Sequence, residues 1–245
     1  MIIDKIIFSC DDNSLYLDFW EHTSKICKMC MGVEPILIWV SDNDTDFYNT
    51  EYGIVKKIKR IDNIDTGFQS QIARMYGTKY FPNDVCMIGD IDMFIFNKHY
   101  FETKISHIPN DEYVILGADA YGTNNRYPMC YQISKGINFN NILNLEDCSF
   151  LDFVNRLITF KNDWSCDEVY LAKCVNESLL KIHKLDRGWD KSWCAINRID
   201  RAKWEYSESN LLEKEYIDCH SLRPYNDNKQ KINELLEKII KYYKL

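Results

Sequence analysis

The stretch VCMIGDIDMFIF, residues 85–96, places two carboxylates, Asp90 and Asp92, directly after an apolar run. Short apolar runs are typical of strands buried on both faces of a parallel sheet, and open α/β sheets bind ligands at the carboxyl ends of such strands. Two aspartates one residue apart at that position can converge on one divalent cation that also binds phosphate oxygens. The stretch therefore predicts an α/β protein with a metal site at a strand end.

The same spacing of two aspartates recurs in this acidic chain, as Asp42-Asn43-Asp44 and Asp44-Thr45-Asp46. Those triplets lie in a polar segment rich in Asn, Ser and Thr, which is typical of a solvated loop. Only Asp90 and Asp92 stand between apolar segments. Local context favours the metal-site interpretation for that pair, with chance occurrence as the alternative.

The rest of the sequence predicts alternating strands and helices, as in a doubly wound sheet. The strands are predicted at residues 5–10, 34–40, 53–61, 85–90, 113–117, 129–134 and 216–219, with a short one within 193–199. The helices are predicted from the capping loop at 11–14 to about 31, and at 67–76, 147–160, 167–180 and 228–243. The predicted fold class is α/β, with a mainly parallel central sheet flanked by helices.

Length and charge limit the function classes. The 245 residues are enough for one α/β domain, and no repeat or Pro/Gly-rich linker marks a boundary. The net charge of -7, without a basic stripe, argues against a nucleic-acid or anionic-membrane surface. The N-terminus is too short and too charged for a secretory signal, and no apolar stretch approaches a membrane span. We expect a soluble, cytosolic protein.

Two common nucleotide and metal motifs are missing or incomplete. The chain has no G-x-G-x-x-G and no G-x-x-x-x-G-K-[ST] loop, so phosphate must be bound by a metal or by a few basic residues. Its ten cysteines are scattered, which favours buried reduced thiols over a disulfide framework. The one C-x-x-C, Cys27 and Cys30, lacks the second pair that a zinc site needs.

The order of landmarks along the chain resembles that of metal-dependent GT-A nucleotide-sugar glycosyltransferases. It is most similar to the short enzymes of large DNA viruses, with features of the galactosyltransferase-like retaining families. The landmarks are the strand ending at Cys10-Asp11, the helix bearing Arg74, then Asp90-Ile91-Asp92, and His220 in the segment DCHSLRPY. The resemblance implies a GT-A, Rossmann-like fold over residues 1–245.

The resemblance also implies an activity and a division of the chain. Residues 1–95 would bind the nucleotide and residues 96–245 the acceptor. The reaction implied is sugar transfer from a nucleotide sugar, with UDP favoured, to a glycan or glycoprotein hydroxyl. The cofactor implied is Mn²⁺ or Mg²⁺, held by Asp90, Asp92 and His220. For a lone histidine, a surface position at a strand end is the alternative.

Donor binding is implied for residues on both sides of the proposed metal site. Arg223 and Tyr225 stand where the family has Lys and Trp, and an arginine is well shaped to grip a diphosphate. Gln71 and Arg74 are three residues apart and share one helix face, although Arg74 could equally face the solvent. The donor-binding residues implied are Cys10, Asp11, Gln71, Arg74, Asp90, Ile91 and Arg223.

A second candidate cluster precedes the predicted helix at 167–180. The resemblance makes Asp167 and Glu168 catalytic residues beside the transferred sugar, whereas acidic residues at a helix start can also simply stabilise it. Asp119, at a strand end, and Trp164 are candidates for sugar or acceptor contact. Trp189 and Trp193 could also stack on a sugar, although loop aromatics more often cap a core.

The segment Ser134-Lys135-Gly136-Ile137 is similar to the family's Asn-Ser-Gly-Val segment, without the Asn.

The sequence leaves two other functions open. A phosphohydrolase of the haloacid-dehalogenase kind also uses D-x-D, but it requires Thr or Val where this chain has Phe94. A protein that binds nucleotide sugars without turnover is the other. The sugar, the acceptor and the choice between retention and inversion are left open.

Overall fold

A central sheet of seven strands organises the computed structural model, which describes residues 1–43, 51–161, 163–190 and 194–245. The strands of this part of the chain are β1 Lys5–Cys10, β2 Glu34–Val40, β3 Ile54–Ile58, β4 Val85–Ile88, β5 Met93–Ile95, β6 Tyr113–Leu116, β7 Gln132–Lys135, β8 Ile182–Leu185, β9 Arg198–Asp200 and β10 Asp218–His220. The helices are α1 Ser14–Leu17, α2 Trp20–Ile26, α3 Thr66–Gly77, α4 Lys98–Ile105, α5 Gly136–Leu143, α6 Phe150–Phe160, α7 Cys166–Glu177, α8 Glu208–Leu212 and α9 Tyr225–Tyr243.

The central sheet is mainly parallel, as the sequence predicts. Its strand order is β3-β2-β1-β4-β7-β6-β8. The first four strands are parallel to one another, β7 is antiparallel to both of its neighbours, and β8 is parallel to β6. Helices cover both faces, so the inner strands are apolar on both sides. In β1, for example, Ile6, Ile7 and Phe8 are all fully buried.

The core lies on both faces of this sheet, because successive side chains of a strand point in opposite directions. Phe8 packs in one cluster with Trp20 and Phe94, on the side that carries α2 and α9. Its neighbour Ile7 packs in the other cluster with Ile72 of α3 and residues of α5, α6 and α7.

A small second sheet brings β9 and β10 next to β5, which follows the D-x-D. Its order is β5-β10-β9, with β5 antiparallel and β9 parallel to β10. His220 lies opposite Met93 on one side and Asp200 on the other. The backbone N–H of Ser221 donates to the carbonyl of Asp92 at 2.9 Å. The sheet thus fixes residues of β9 and β10 beside the second aspartate of the D-x-D.

Two helices position the remaining candidate side chains. The Asp65 carboxylate caps α3 by accepting a hydrogen bond from the Phe68 N–H at 2.7 Å. A Cβ added at Gly77 would lie 2.4 Å from Cγ1 of Ile38, so only glycine lets the end of α3 approach β2 so closely. Helix α7 begins at Cys166, which places Asp167 and Glu168 in its first turn.

Several elements differ from the sequence-based prediction. The helix expected to end near residue 31 divides into α1, α2 and a π-helical turn at Cys27–Met31. Helices α4 and α5 and strand β8 were not predicted, and the strand expected at 129–134 begins only at Gln132. The Asp44-Thr45-Asp46 triplet and Trp193 lie outside the described residues.

Two further findings concern bulk properties. All ten cysteines are free thiols, and burial raises the pKa of Cys30 in the C-x-x-C to about 12. None of the helices in the described ranges is both long and apolar enough to cross a bilayer.

Candidate functional site

A cavity of about 530 Å³ opens at the carboxyl ends of β1 and β4. Every residue of the sequence-predicted site lines it except Asp119. The lining residues from that prediction are Cys10, Asp11, Gln71, Arg74, Asp90, Ile91, Asp92, Trp164, Asp167, Glu168, His220 and Arg223. Their meeting follows from topology, because the strand ends, the first turn of α7 and the small sheet all lie at this edge.

Arg74 is the central cation of the cavity. Its guanidinium contacts Oδ1 of Asp90 and donates from Nη2 to Oδ2 of Asp167 at 2.7 Å. Gln71 donates to the other oxygen of Asp167 at 2.9 Å. The Arg74 side chain is 12% exposed and does not face the solvent. Desolvation opposes its charge, but the two carboxylates raise the pKa of Arg74, so it stays protonated.

Asp92 is a buried carboxylate surrounded by cationic side chains. Its Oδ2 accepts a hydrogen bond from Nη1 of Arg201 at 2.8 Å. Nε of Arg223 lies 3.5 Å and Nε2 of His220 lies 3.6 Å from the same oxygen. Burial works against ionisation, yet the hydrogen bond from His220 and the charges of these three partners lower the pKa of Asp92 to about 2. The carboxylate is therefore ionised.

His220 is oriented by a carboxylate on the neighbouring strand. Its Nδ1 lies 3.4 Å from Oδ2 of Asp200, which is its partner in the β9–β10 register. Burial alone would lower the pKa of His220, but the contacts with Asp200 and Asp92 raise it. A carboxylate at one ring nitrogen leaves the other nitrogen directed at Asp92, an arrangement common behind metal-bound histidines.

The predicted metal ligands fit a cation in part. Nε2 of His220 and Oδ2 of Asp92 are 3.6 Å apart, a gap that one cation with bonds of about 2.0–2.2 Å can bridge. Asp90, the third predicted ligand, is bound to Arg74 instead. Within the described ranges, no group of three or more His, Cys, Asp or Glu side chains is already arranged around one metal position. Two of the three ligands therefore fit as they stand.

Glu168 follows Asp167 in the first turn of α7. Its carboxylate accepts hydrogen bonds from the Tyr121 hydroxyl at 2.8 Å and from Nε of Arg126 at 2.6 Å. The Arg126 guanidinium stacks 4.2 Å from the centre of the Tyr121 ring. Burial, reinforced by Asp167, raises the pKa of Glu168. No sequence pattern indicates Tyr121 and Arg126, which lie in a polar loop without periodicity.

The remaining candidates differ in how they meet the cavity. Asp11 is held by the Thr66 hydroxyl at 2.8 Å and by the Asn13 N–H at 3.1 Å. Trp164 is 72% exposed at the rim. Trp189 lines the wall.

Asp119 does not line the cavity. Its two carboxylate oxygens each accept a hydrogen bond at 2.9 Å, from the backbone N–H groups of Arg187 and Gly188. Both bonds anchor the loop that follows β8. Asp119 thus fixes the backbone of the loop that follows β8.

No protein-family model and no curated protein matches the sequence. Solved structures match by fold. The glycosyltransferase GlyE of Streptococcus pneumoniae TIGR4 aligns over 98% of this chain and 60% of its own, with 10% identity and a TM-score of 0.54. Its apo form aligns over 100% of this chain and 66% of its own, with 11% identity and a TM-score of 0.51.

A third structure, the galactosyltransferase LgtC in complex with donor and acceptor sugar analogs, aligns over 96% of this chain and 95% of its own. Its identity is 10% and its TM-score 0.49. The chain spans less than two thirds of the length of the two GlyE structures. At these identities the likeness concerns the fold, and it confirms the predicted GT-A type of α/β architecture.

Proposed function

We propose that this protein is a glycosyltransferase that moves a sugar from a nucleotide sugar, UDP-linked by preference, to a hydroxyl of a glycan or glycoprotein. The observation that carries the proposal is the wall formed by Asp92, His220, Arg201 and Arg223. It combines an oxygen and a nitrogen at a spacing suited to one cation with two guanidiniums suited to phosphate. A diphosphate with a bound divalent cation presents the complementary charges.

The cation would be Mn²⁺ or Mg²⁺, held by Asp92 and His220 with Asp90 as third ligand. When bound, it would supply a Lewis acid that offsets charge on the departing diphosphate. The chain's own residues prepare this position. Asp200 fixes the His220 ring from behind, and the small sheet fixes the backbone of Asp92.

The sugar would lie against the first turn of α7. Asp167 is 1% exposed and is held in one orientation by Gln71 and Arg74. Glu168 is held by Tyr121 and Arg126. Carboxylates fixed in this way accept hydrogen bonds from sugar hydroxyls without first reorganising, which favours a productive position of the donor.

The acceptor would approach from the rim at Trp164. This indole is largely exposed, and its backbone carbonyl accepts a hydrogen bond from Gln71. An indole face offers a broad apolar surface for a sugar ring. Binding there would bring the acceptor hydroxyl next to the donor sugar and displace water from the cavity mouth.

Thermal unfolding in the presence of nucleotides tests the proposal. UDP or UDP-sugars together with Mn²⁺ should raise the unfolding midpoint, because a ligand that binds only the native state stabilises it by mass action. Other nucleoside diphosphates serve as the specificity control. If no nucleotide shifts the midpoint in Mn²⁺ or Mg²⁺, the proposal falls.

Two variants separate the parts of the proposal. Asp92→Asn should abolish metal-dependent transfer while the far-ultraviolet circular dichroism spectrum stays that of the wild type. Glu208→Gln, at an exposed side chain, is the matched control. Asp167→Asn should abolish donor turnover, measured as hydrolysis or transfer, while metal-dependent UDP binding persists. If wild type binds UDP but turns over no UDP-sugar, the protein is a binding protein instead.

A further inference from the structure

Arg201 reaches the proposed diphosphate site from a turn that no sequence motif marks. The turn directly follows β9. The Trp204 N–H donates to the Asp200 carbonyl at 2.7 Å, and the Ala202 N–H donates to an Asp200 carboxylate oxygen at 2.9 Å. These bonds fix the backbone on both sides of Arg201. The guanidinium of Arg201 is thereby directed along the cavity wall to Asp92.

The other buried arginines of the cavity have their charge matched inside the protein. Arg74 lies between two carboxylates. Arg198 donates to Asp218 through Nε at 2.7 Å, with both side chains buried. Neither guanidinium can turn to a ligand without leaving a buried carboxylate unpaired, which is costly.

Arg201 and Arg223 are different, because both face the same carboxylate oxygen, Oδ2 of Asp92, at 2.8 and 3.5 Å. Each guanidinium carries five N–H donors. Within the described ranges, Arg201 uses one of them, for Asp92. Its side chain is 29% exposed and that of Arg223 is 26% exposed. Both side chains therefore keep donors open to the cavity.

The position of Arg201 conflicts with a cation at Asp92. A divalent cation and a guanidinium repel each other strongly at such distances. A cation on Oδ2 of Asp92 therefore weakens the hydrogen bond that Arg201 donates to the same oxygen. A phosphate oxygen placed beside the cation offers Arg201 a replacement partner with better geometry, because guanidinium and phosphate match in two parallel hydrogen bonds.

We propose that Arg201 is a second diphosphate-binding residue that exchanges partners, pairing with Asp92 in the ligand-free protein and with the donor's phosphate when Asp92 binds the cation. This inference rests on the proposed function. It makes the binding of metal and of nucleotide cooperative. Metal alone must displace Arg201 from Asp92 without any compensation, whereas metal with a diphosphate provides Arg201 with a new partner.

Isothermal titration calorimetry with Mn²⁺ alone, and with UDP at saturating Mn²⁺, tests the exchange in the full chain. Arg201→Gln should bind Mn²⁺ alone more tightly and UDP more weakly, each by about fivefold or more, the lower end of common coupling strengths. Arg201→Lys keeps the charge but not the paired geometry, so its UDP affinity should lie between those of wild type and Arg201→Gln. Arg60→Gln, at an exposed ion pair with Asp42, is the matched control and should change neither affinity.

The outcomes are distinct. Opposite shifts of the two affinities in Arg201→Gln support the exchange, since a merely structural role would weaken both. A parallel loss of both affinities, or no change in either, overturns it while the proposed function survives. If the wild-type protein binds UDP neither with Mn²⁺ nor with Mg²⁺, the proposed function itself fails and the exchange fails with it.

Discussion

Asp218 and Asp92 are both aspartates bound by two arginines, and they differ in access to the cavity. Asp218 accepts hydrogen bonds from Arg198 at 2.7 Å, from Arg187 at 3.1 Å and from the Tyr131 hydroxyl at 2.6 Å. Its side chain is completely buried, and those of the two arginines are 2% and 8% exposed. The Asp218 carboxylate is therefore closed to ligands, although Arg198 lines the cavity.

The Asp92 cluster uses the same residue types in an open position. Its arginines are more than a quarter exposed and line the cavity. The two clusters therefore differ in the exposure of their arginines. Buried guanidiniums must keep their carboxylate, because separation leaves an unpaired charge in a low dielectric, whereas partly exposed ones can change partners at small cost.

Removing the buried carboxylate should have the largest effect on stability. Asp218→Asn leaves Arg187 and Arg198 without their counter-charge. We expect the free energy of unfolding to fall by about 3–5 kcal/mol, as when one partner of a buried pair is removed. Urea denaturation followed by circular dichroism measures it. A loss of only about 0–1 kcal/mol, as for an exposed ion pair, would contradict a structural role for Asp218.

The Asp218 carboxylate should also make the stability of the fold depend on pH. Burial favours the neutral form, but Arg187 and Arg198 hold the pKa of Asp218 well below its usual range. A carboxylate with a lowered native pKa contributes stability that is present above its unfolded-state pKa, about 3.9, and is lost as the pH falls below it. Wild type should therefore lose stability between about pH 4 and pH 2 more steeply than Asp218→Asn. Equal slopes for the two proteins would contradict this assignment.

Arg74 is an intermediate case, since it is buried but lines the cavity. Arg74→Met keeps most of the side-chain volume and removes the hydrogen bonds to Asp90 and Asp167. We expect a loss of about 1.5–3 kcal/mol, the range for hydrogen bonds to charged groups, and weaker UDP binding. Denaturation and calorimetry on the same preparation give both values. Full stability with full UDP affinity would show that Arg74 supports neither.

Arg201→Gln should change stability little, although it changes ligand binding. The Arg201–Asp92 pair is partly exposed, and such pairs contribute about 0–1 kcal/mol. Urea denaturation in the absence of ligand measures this contribution. A loss as large as that of Asp218→Asn would remove the distinction between the two clusters.

The smallest effect is expected at the surface. Lys238 and Glu208 are 2.6 Å apart with both side chains exposed. Glu208→Gln should leave the unfolding midpoint unchanged in 0.15 M salt, because exposed pairs are screened. A scanning calorimetry comparison at low and physiological salt checks this. A salt-independent shift would show that the pair contributes more than its exposure indicates.

The sequence predicted the parts of the site that depend on local pattern. The strands β1 and β2 were predicted at their observed bounds, because short apolar runs ended by polar residues mark buried strands. The location of Asp90 and Asp92 at a strand end followed from the same pattern. Asp167 and Glu168 could be assigned to a first helical turn because an apolar helix follows them.

What could not be predicted depends on contacts between distant segments. Arg201 lies 109 residues from Asp92 in the chain, and only the pairing of β9 with β10 brings the two together. Tyr121 and Arg126 reach Glu168 from a loop with no periodic pattern. Asp119, a polar residue at a strand end, accepts hydrogen bonds from the loop after β8, and its contact with a sugar or acceptor stays a prediction. Whether residues 1–95 and 96–245 divide the work as expected stays a prediction.

The small three-stranded sheet also sets the order in which the site is completed during synthesis. β5 leaves the ribosome early, whereas its partner β10 is made more than a hundred residues later. Because chains fold from the N-terminus as they emerge, β1 to β4 can pair while Asp92 still lacks Arg201, His220 and Arg223. A nascent chain arrested before β10 would thus contain most strands of the central sheet, but its proposed cation site would lack His220. The proposed donor site is therefore complete only after β10 has been synthesised.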